Sequence, residues 1–531
     1  MRRLLPVALM VLLAPCCFAT SYYLSAAGND SAAGTAPTTA WKTLARLNSA
    51  ALNSGDIIYL RGGDTFPGTL KLPTNNLTAT SYGAGTAAIN AGTGDGVDIF
   101  DVSGAQLNSL IIEGGWNAET QSGNSGIGVN AYCDLPNAQK LIGLTLTNLT
   151  VHGFQQEGIC LGAHPTDGSK SGFSTVLIQS CTAYSNGNAG IESYGYFNRN
   201  ATTYAHSGVV VTGCTVYDNE GLANATNNTG NGIELGDVQN AAIAHCVAYN
   251  NGQRNVFSGG GPVGIWAWDS DSVTIEWCES HDNHSQTADG DGFDLDGGVT
   301  NSAIQYCYAH NNDGAGFLVA EFSGARTLND LTLRYNISQN DGQKGGYGSM
   351  VLWNGGSGVQ NCEIYNNTFY SSDSSPAVNF FSAVSNVYLR DNVIASTVAP
   401  LVNAQGGLTG ILFQSNDYWA GGGPFIISNE SSQISSLAAW QALGQEKIGS
   451  ALAGLWTNPG YVALGGGQTL DSGYKPGWLL SYYLTQTSAL IGSGVAMSTF
   501  GVAPGNADFF GYPIQATTIG ASSAKLFTAP R

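Results

Sequence analysis

The sequence predicts an all-β chain wound as a right-handed parallel β-helix, with three short strands per coil and about 11–13 coils. Three observations predict it. Cys181, Cys214, Cys246, Cys278 and Cys307 recur at steps of 33, 32, 32 and 29 residues. A branched aliphatic stands three residues before each, at Ile178, Val211, Ile243, Ile275 and Ile304. The same frame then continues with asparagine, at Asn336, Asn367, Asn392 and Asn416, behind Leu333, Ile364, Leu389 and Phe413. It also runs backward through Leu149 with Leu146 and Gly115 with Ile112, so a period of 24–34 residues holds over eleven units. Such a period is a solenoid signature.

Residues 206–237 illustrate one coil. Val209-Val210-Val211 is a β-rich run, Cys214 a bend, and Thr215-Val216-Tyr217 a second strand. After a Gly/Asn-rich loop, Gly232-Ile233-Glu234-Leu235 alternates with period two and reads as the third strand. An asparagine at the bend can hydrogen-bond the backbone of the next coil. Cysteine there packs as a small hydrophobe, which predicts a buried stack of free thiols. Cys133, Cys160 and Cys362 lie outside that register, and a Cys133–Cys160 bridge is open from sequence alone.

The third strand recurs at Gly158, Gly190, Gly232, Gly264, Gly292 and Gly316. Alternation turns Ile or Phe inward and the following residue outward. The outward column therefore reads Cys160, Glu192, Glu234, Trp266, Asp294, Leu318, Val351 and Asn379. A parallel column two residues on reads Tyr194, Gly236, Trp268, Asp296, Ala320, Trp353 and Phe381. The loops entering these strands lengthen from 9 residues to 18, 18 and 14 before those carrying Glu234, Trp266 and Asp294. Long loops on a rigid scaffold are where binding and catalysis concentrate.

The ends differ. Residues 1–20 pair Arg2 and Arg3 with an apolar run, the pattern of a cleaved export signal, so the mature chain is expected to be secreted or periplasmic. Residues 21–54 read as an N-terminal cap with a helix around Trp41, Leu44 and Leu47, residues 55–422 as the β-helix, and residues 423–531 as a C-terminal cap. Loss of the two arginines takes the formal charge from −19 to −21, which disfavours nucleic acid and anionic membranes as partners. A monomer is expected.

Chemistry concentrates in Ala288–Gly298, where Asp289, Asp291, Asp294 and Asp296 fall within eight residues. Asp289 and Asp291 have the turn setting of candidate Ca2+ ligands. Asp294 and Asp296, outward neighbours on one strand, stand ~7 Å apart. Glu234 lies two coils from Asp294, and Glu192 one coil beyond Glu234. Inverting glycosidases place their carboxyls about 6.5–9.5 Å apart, and retaining ones about 5–5.5 Å. The catalytic candidates are thus Asp294, Asp296, Glu234, Glu192 and Asp291. Trp266, Trp268 and Trp353 are candidates for stacking on sugar rings, with Tyr194, His284, Arg254 and Lys344 as further substrate contacts. Tyr184, Tyr217, Tyr249, His281 and His310 form another ladder, expected to pack on a different face.

The coil pattern with its asparagine ladder resembles the pectin-lyase-like superfamily over roughly residues 55–430. Within it, Gly290–Gly298 followed by Ala309–Phe317 resembles the family nine pectate lyases, although Asp294 stands where that family places a lysine base. The run Asp291–Asp294 also resembles polygalacturonase-like hydrolases, without their GHG and RIK motifs. The resemblance implies a polysaccharide or oligosaccharide substrate. Three functions follow as expectations. The first is an inverting glycoside hydrolase needing no cofactor, the second a Ca2+-dependent polyuronate lyase or epimerase, and the third a glycan-binding protein without catalysis.

Overall fold

The computed structural model describes residues 19–344, 346–470, 474–514 and 517–522. Of the expected export signal, residues 1–20, all but the last two lie outside the described residues. Three parallel sheets of fourteen strands each wind around one core, so the right-handed parallel β-helix is the observed fold. The coil read from residues 206–237 is present as strands His206–Thr212, Thr215–Tyr217 and Asn231–Gly236, one in each sheet. The first sheet begins earlier than the sequence suggests, because Ser21–Leu24 already pairs with Ile57–Leu60. Among the described residues no helix is long and apolar enough to cross a membrane.

Register stacks like on like. Ile191, Ile233, Ile265, Phe293, Phe317, Met350 and Val378 form one inward column. Burying each such side chain is worth about 1.5–3 kcal/mol. Phe293 and Phe317 stack at 5.2 Å.

Each coil turns its first corner through a left-handed residue followed by the ladder residue. Ser180, His245, Trp277, Tyr306 and Tyr335 have φ of 53°, 55°, 55°, 58° and 52°. Bulky side chains in that region are costly and persist only where the surroundings fix them. The ladder supplies that fixation. Asn392, for example, accepts from Asn367 N at 2.9 Å through Oδ1 and donates to Ile364 O at 2.9 Å through Nδ2. Glu446 ends the asparagine run by accepting from Asn416 Nδ2 at 2.8 Å. In the upstream coils the thiols do the same work more weakly, Cys246 Sγ donating to Ala244 O at 3.3 Å. All eight cysteines from Cys133 to Cys362 are free and buried, so no Cys133–Cys160 bridge forms.

A second ladder lies at the next corner, five residues further on: Asn186, Asn219, Asn251, Asn283, Asn312 and Asp341. Each amide is linked to the next, at 3.0, 2.9, 2.9, 2.9 and 2.8 Å. Here too the preceding residue is left-handed, as at Asp218 with φ 52°.

The N-terminal helix is short, Leu44–Asn48, capped by the Thr43 hydroxyl, with Leu44 and Leu47 buried. At the other end Trp440 of the Leu437–Ala442 helix packs against Phe413 at 5.2 Å. The remaining tail does not stay at that end. Leu470, Tyr474, Tyr482 and Phe509 pack back along the outside of the third sheet on Tyr308, Ile337 and Val393. The reason lies in the outward residues of that sheet. Upstream coils present Thr150, Thr182 and Thr215 to solvent, whereas downstream coils present Tyr308, Ile337 and Val393, which need cover.

Candidate active site

The second sheet carries the acidic strip, and its register matches the expected columns. Glu192 pairs with Glu234, Glu234 with Trp266, Trp266 with Asp294, and Asp294 with Leu318. Three long loops rise beside these strands and enclose a cavity of about 640 Å3. Such a volume lies within the range of small-molecule sites. Its floor is Glu234, Trp266, Trp268, Asp294 and Asp296, and the loops contribute Asn228, Phe257–Gly261 and Asp289. Trp353, Tyr347 and Phe381 close the far side. No cationic side chain lines it among the described residues.

The four carboxyls are held differently. Glu234 accepts from Trp268 Nε1 and Asn231 Nδ2, both at 2.8 Å. Burial pushes its pKa up to about 8, with the Trp268 bond opposing the rise. Asp294 is 2% exposed, and its Oδ1 has no partner among the described residues. Burial, then the neighbouring Asp296, raises its carboxyl well above the usual range. Asp296 accepts from Gly297 N at 2.6 Å and is pushed up by burial to about 7. Asp289 accepts from Gly261 N and from the Tyr347 hydroxyl, which hold it in the wall facing the strip. Its carboxyl is also raised by burial. A site that desolvates several carboxyls together keeps a proton available near neutral pH, the requirement for a general acid.

Three tryptophans meet in this cavity as the alternation suggests. Trp266 is buried, with no partner for its Nε1 among the described residues, and Trp353 is 40% exposed. Six of the sequence-derived candidates fall outside its lining. Glu192 lies one coil away and shares Asn188 with Glu157, accepting from its Nδ2 at 2.8 Å. Tyr194 lies against Gly162, another coil up. Asp291 is fully buried at the start of its strand, where it accepts from Ala315 N. His284 and Lys344 both turn to Asp313, at 3.3 and 2.6 Å. Arg254 is paired with Glu220. Each of these groups is taken up by a local partner, a detail that column assignment does not contain. As for the candidate Ca2+ ligands, both oxygens of Asp289 accept hydrogen bonds, whereas Asp291 accepts from Ala315 N through Oδ1 and its Oδ2 has no partner among the described residues.

The strip also has a neighbour that sequence reasoning missed. Phe197 is 41% exposed beside the cavity, with its ring 6.0 Å from Trp268 and 6.3 Å from Phe322. Its loop is tied down by Arg326, which donates to Ala201 O at 3.0 Å and lies over Tyr204. Phe197 follows Tyr196 in a loop without strand periodicity, so only an aromatic pair next to the Tyr194 column signals it.

Comparison with known proteins agrees with this architecture. The family described as "Right handed beta helix region" matches residues 206–369. A lacto-N-biosidase of Bifidobacterium longum subsp. longum is 31% identical over 137 residues, which is 25% of this chain and 8% of that protein. The chain therefore spans a small part of the length of the curated relative it matches. Among solved structures, the GH136 lacto-N-biosidase from Eubacterium ramulus superposes with a TM-score of 0.55 at 19% identity, covering 68% of this chain and 65% of that one. XylC in complex with xylose gives a TM-score of 0.50 at 10% identity, covering 96% and 99%. Fold and register together define the class: a right-handed parallel β-helix.

Proposed function

We propose that this protein is a glycoside hydrolase acting on neutral sugars at the end of an oligosaccharide or polysaccharide chain. The observation that carries the reading is the cavity that gathers Asp289, Asp294, Asp296 and Glu234 beside three tryptophans, with no cationic side chain among the described residues that line it. Indole faces suit sugar rings, and buried carboxyls suit protonation of a glycosidic oxygen. A polyuronate would enter this acidic wall uncompensated, since Arg254 and Lys344 are engaged elsewhere. That favours hydrolysis over the Ca2+-dependent lyase or epimerase. The lacto-N-biosidase relative supports an oligosaccharide substrate.

In the proposed mechanism Asp294, kept neutral by burial, donates its proton to the leaving oxygen. Asp296, a neighbour that adds to the burial-driven rise of both Asp294 and Glu234, acts as the base on the attacking water. Glu234, fixed by Trp268 and Asn231, orients sugar hydroxyls. Asp289 is the second candidate for the acid, because Tyr347 and Gly261 hold it in the facing wall. Export is part of the reading, with cleavage near residue 20 to be checked by N-terminal sequencing of the mature protein.

The test is incubation with neutral and uronic oligosaccharide panels, with and without EDTA, scoring reducing ends and unsaturated products. New reducing ends from neutral substrates, unaffected by EDTA, are expected. Unsaturated, EDTA-sensitive products would replace the reading with a lyase, and binding without products with a glycan-binding protein. Asp294→Asn and Asp289→Asn, assayed side by side, assign the acid, whose loss should cost about 10²–10⁴-fold in kcat.

A further inference from the structure

Beneath the C-terminal tail, on the third sheet, lies a polar cluster outside the acidic cavity. Glu279 and His281 stand on one strand and Tyr308 and His310 on the next, paired in register. All four are buried. Oε2 of Glu279 and Oη of Tyr308 have no partner among the described residues. Each orphaned buried oxygen costs on the order of 1–3 kcal/mol, so two of them beside two imidazoles ask for an explanation. One donor atom each from Glu279, His281 and His310 lies within 4.8 Å of the others. The tail closes directly over them, with Leu470 N donating to Glu279 Oε1 at 2.8 Å.

The stacked ladder changes its chemistry at this place. The stack runs His152, Tyr184, Tyr217, Tyr249, His281 and His310, so three phenols give way to two consecutive imidazoles where the tail lands. Stacking alone would be served by another tyrosine. Asp282 Oδ2 engages His281 Nδ1 at 2.7 Å, the outer-shell carboxylate contact that fixes a ligating imidazole through its other nitrogen.

We propose that Glu279, His281 and His310 form a site for a divalent transition metal, with Zn2+ the fitting ion, that staples the C-terminal tail to the β-helix. Two imidazoles and one carboxylate are a zinc donor set. Bonds of about 2.0–2.2 Å place tetrahedral donors ~3.4 Å apart, so these atoms draw inward on binding. The His281 and His310 rings, now parallel at 4.6 Å, must tilt toward the ion. The proton that His310 Nε2 shares with Glu279 Oε1, 3.2 Å away, moves to Nδ1 on binding, where the Asn311 amide turns its oxygen to accept it, so the imidazole stays neutral and frees Nε2 for the ion. The ion takes over the unpartnered Glu279 Oε2. The site is closed by the tail and is therefore structural, independent of the hydrolase reading.

The experiment uses the full mature chain, stripped with a chelator and incubated with excess ZnCl2 or CoCl2 before desalting. About one zinc per chain is expected by elemental analysis, with slower proteolysis of the tail and, for cobalt, visible d–d absorption. Glu279→Gln and His310→Gln should each lower retained zinc at least tenfold while leaving oligosaccharide cleavage unchanged. If His310→Gln loses its circular dichroism signature, the near-isosteric Glu279→Gln decides alone. Zinc content no higher in the wild type than in Glu279→Gln, or a cobalt complex without d–d bands, would overturn the proposal and leave buried water as the partner of these oxygens.

Discussion

Trp268 Nε1 donates a 2.8 Å hydrogen bond to Oε1 of Glu234, one coil away on the same wall. An aromatic platform and a carboxyl are thereby one unit, and the indole sets both the orientation and the acidity of the acid. Trp268→Phe keeps a ring and removes the donor. Without the bond, the Glu234 pKa should rise above about 8. A hydrogen bond to a charged group is worth about 1.5–3 kcal/mol, or roughly one to two pH units. The Glu234 carboxyl, followed by difference infrared titration, should ionise at a pH higher by that amount. An unmoved titration would show that the indole does not set its acidity.

Stability should fall from mildly acidic to alkaline pH. Burial raises Glu234 to about 8 and Asp296, Asp341, Asp391 and Glu446 each to about 7. A carboxyl whose folded pKa lies above its unfolded value contributes stability that is complete below about pH 4 and lost as pH rises through the folded value. The window is therefore about pH 4–8. Tm measured across it should decline, and Glu446→Gln should flatten the decline. A Tm that rises between pH 5 and 8 contradicts the burial of these groups.

Asp294→Asn should be inactive yet folded. The amide mimics the neutral acid that burial already imposes, so Tm is expected to hold or rise. The first-formed anomer adds a geometric check by proton NMR. Asp294 and Asp296, ~7 Å apart along the strand, predict inversion. A retained product would exclude that pair, because retention needs carboxyls about 5–5.5 Å apart.

Phe197→Ala should raise KM several-fold and leave kcat nearly unchanged. The ring extends the wall formed by Trp268 and Phe322 without reaching a carboxyl. Equal losses in kcat and kcat/KM would instead place it at the reacting centre.

Asn392→Ala should be among the most destabilising single changes in the core. It removes the acceptor for Asn367 N and the donor to Ile364 O, leaving both buried and unpaired. At about 1–3 kcal/mol per orphan, a loss of 2–6 kcal/mol is expected in denaturant unfolding. A loss below 1 kcal/mol would mean that the ladder relaxes.

Much of the site was legible because a solenoid converts sequence period into spatial adjacency. Glu234, Trp266 and Asp294 are separated by about thirty residues each, and alternation alone placed them on one wall. The second asparagine ladder was equally available, five residues beyond each Cys or Asn of the first, but it hides among loop asparagines. The partners of Lys344, His284 and Arg254 were not legible. Asp313 and Glu220 reach them through loop geometry that no period describes.

By itself the sequence determined the rungs: repeat length, inward and outward faces, and the row of acids and indoles, because nearest-neighbour stacking is a local rule. Tertiary structure alone decided which acids share a cavity, with Asp289 brought in by Tyr347 and Glu192 left out. It also decided that the tail turns back to cover Tyr308 and Ile337. Those outcomes depend on how loops and tail close over the scaffold, where contacts are non-local and no repeat records them.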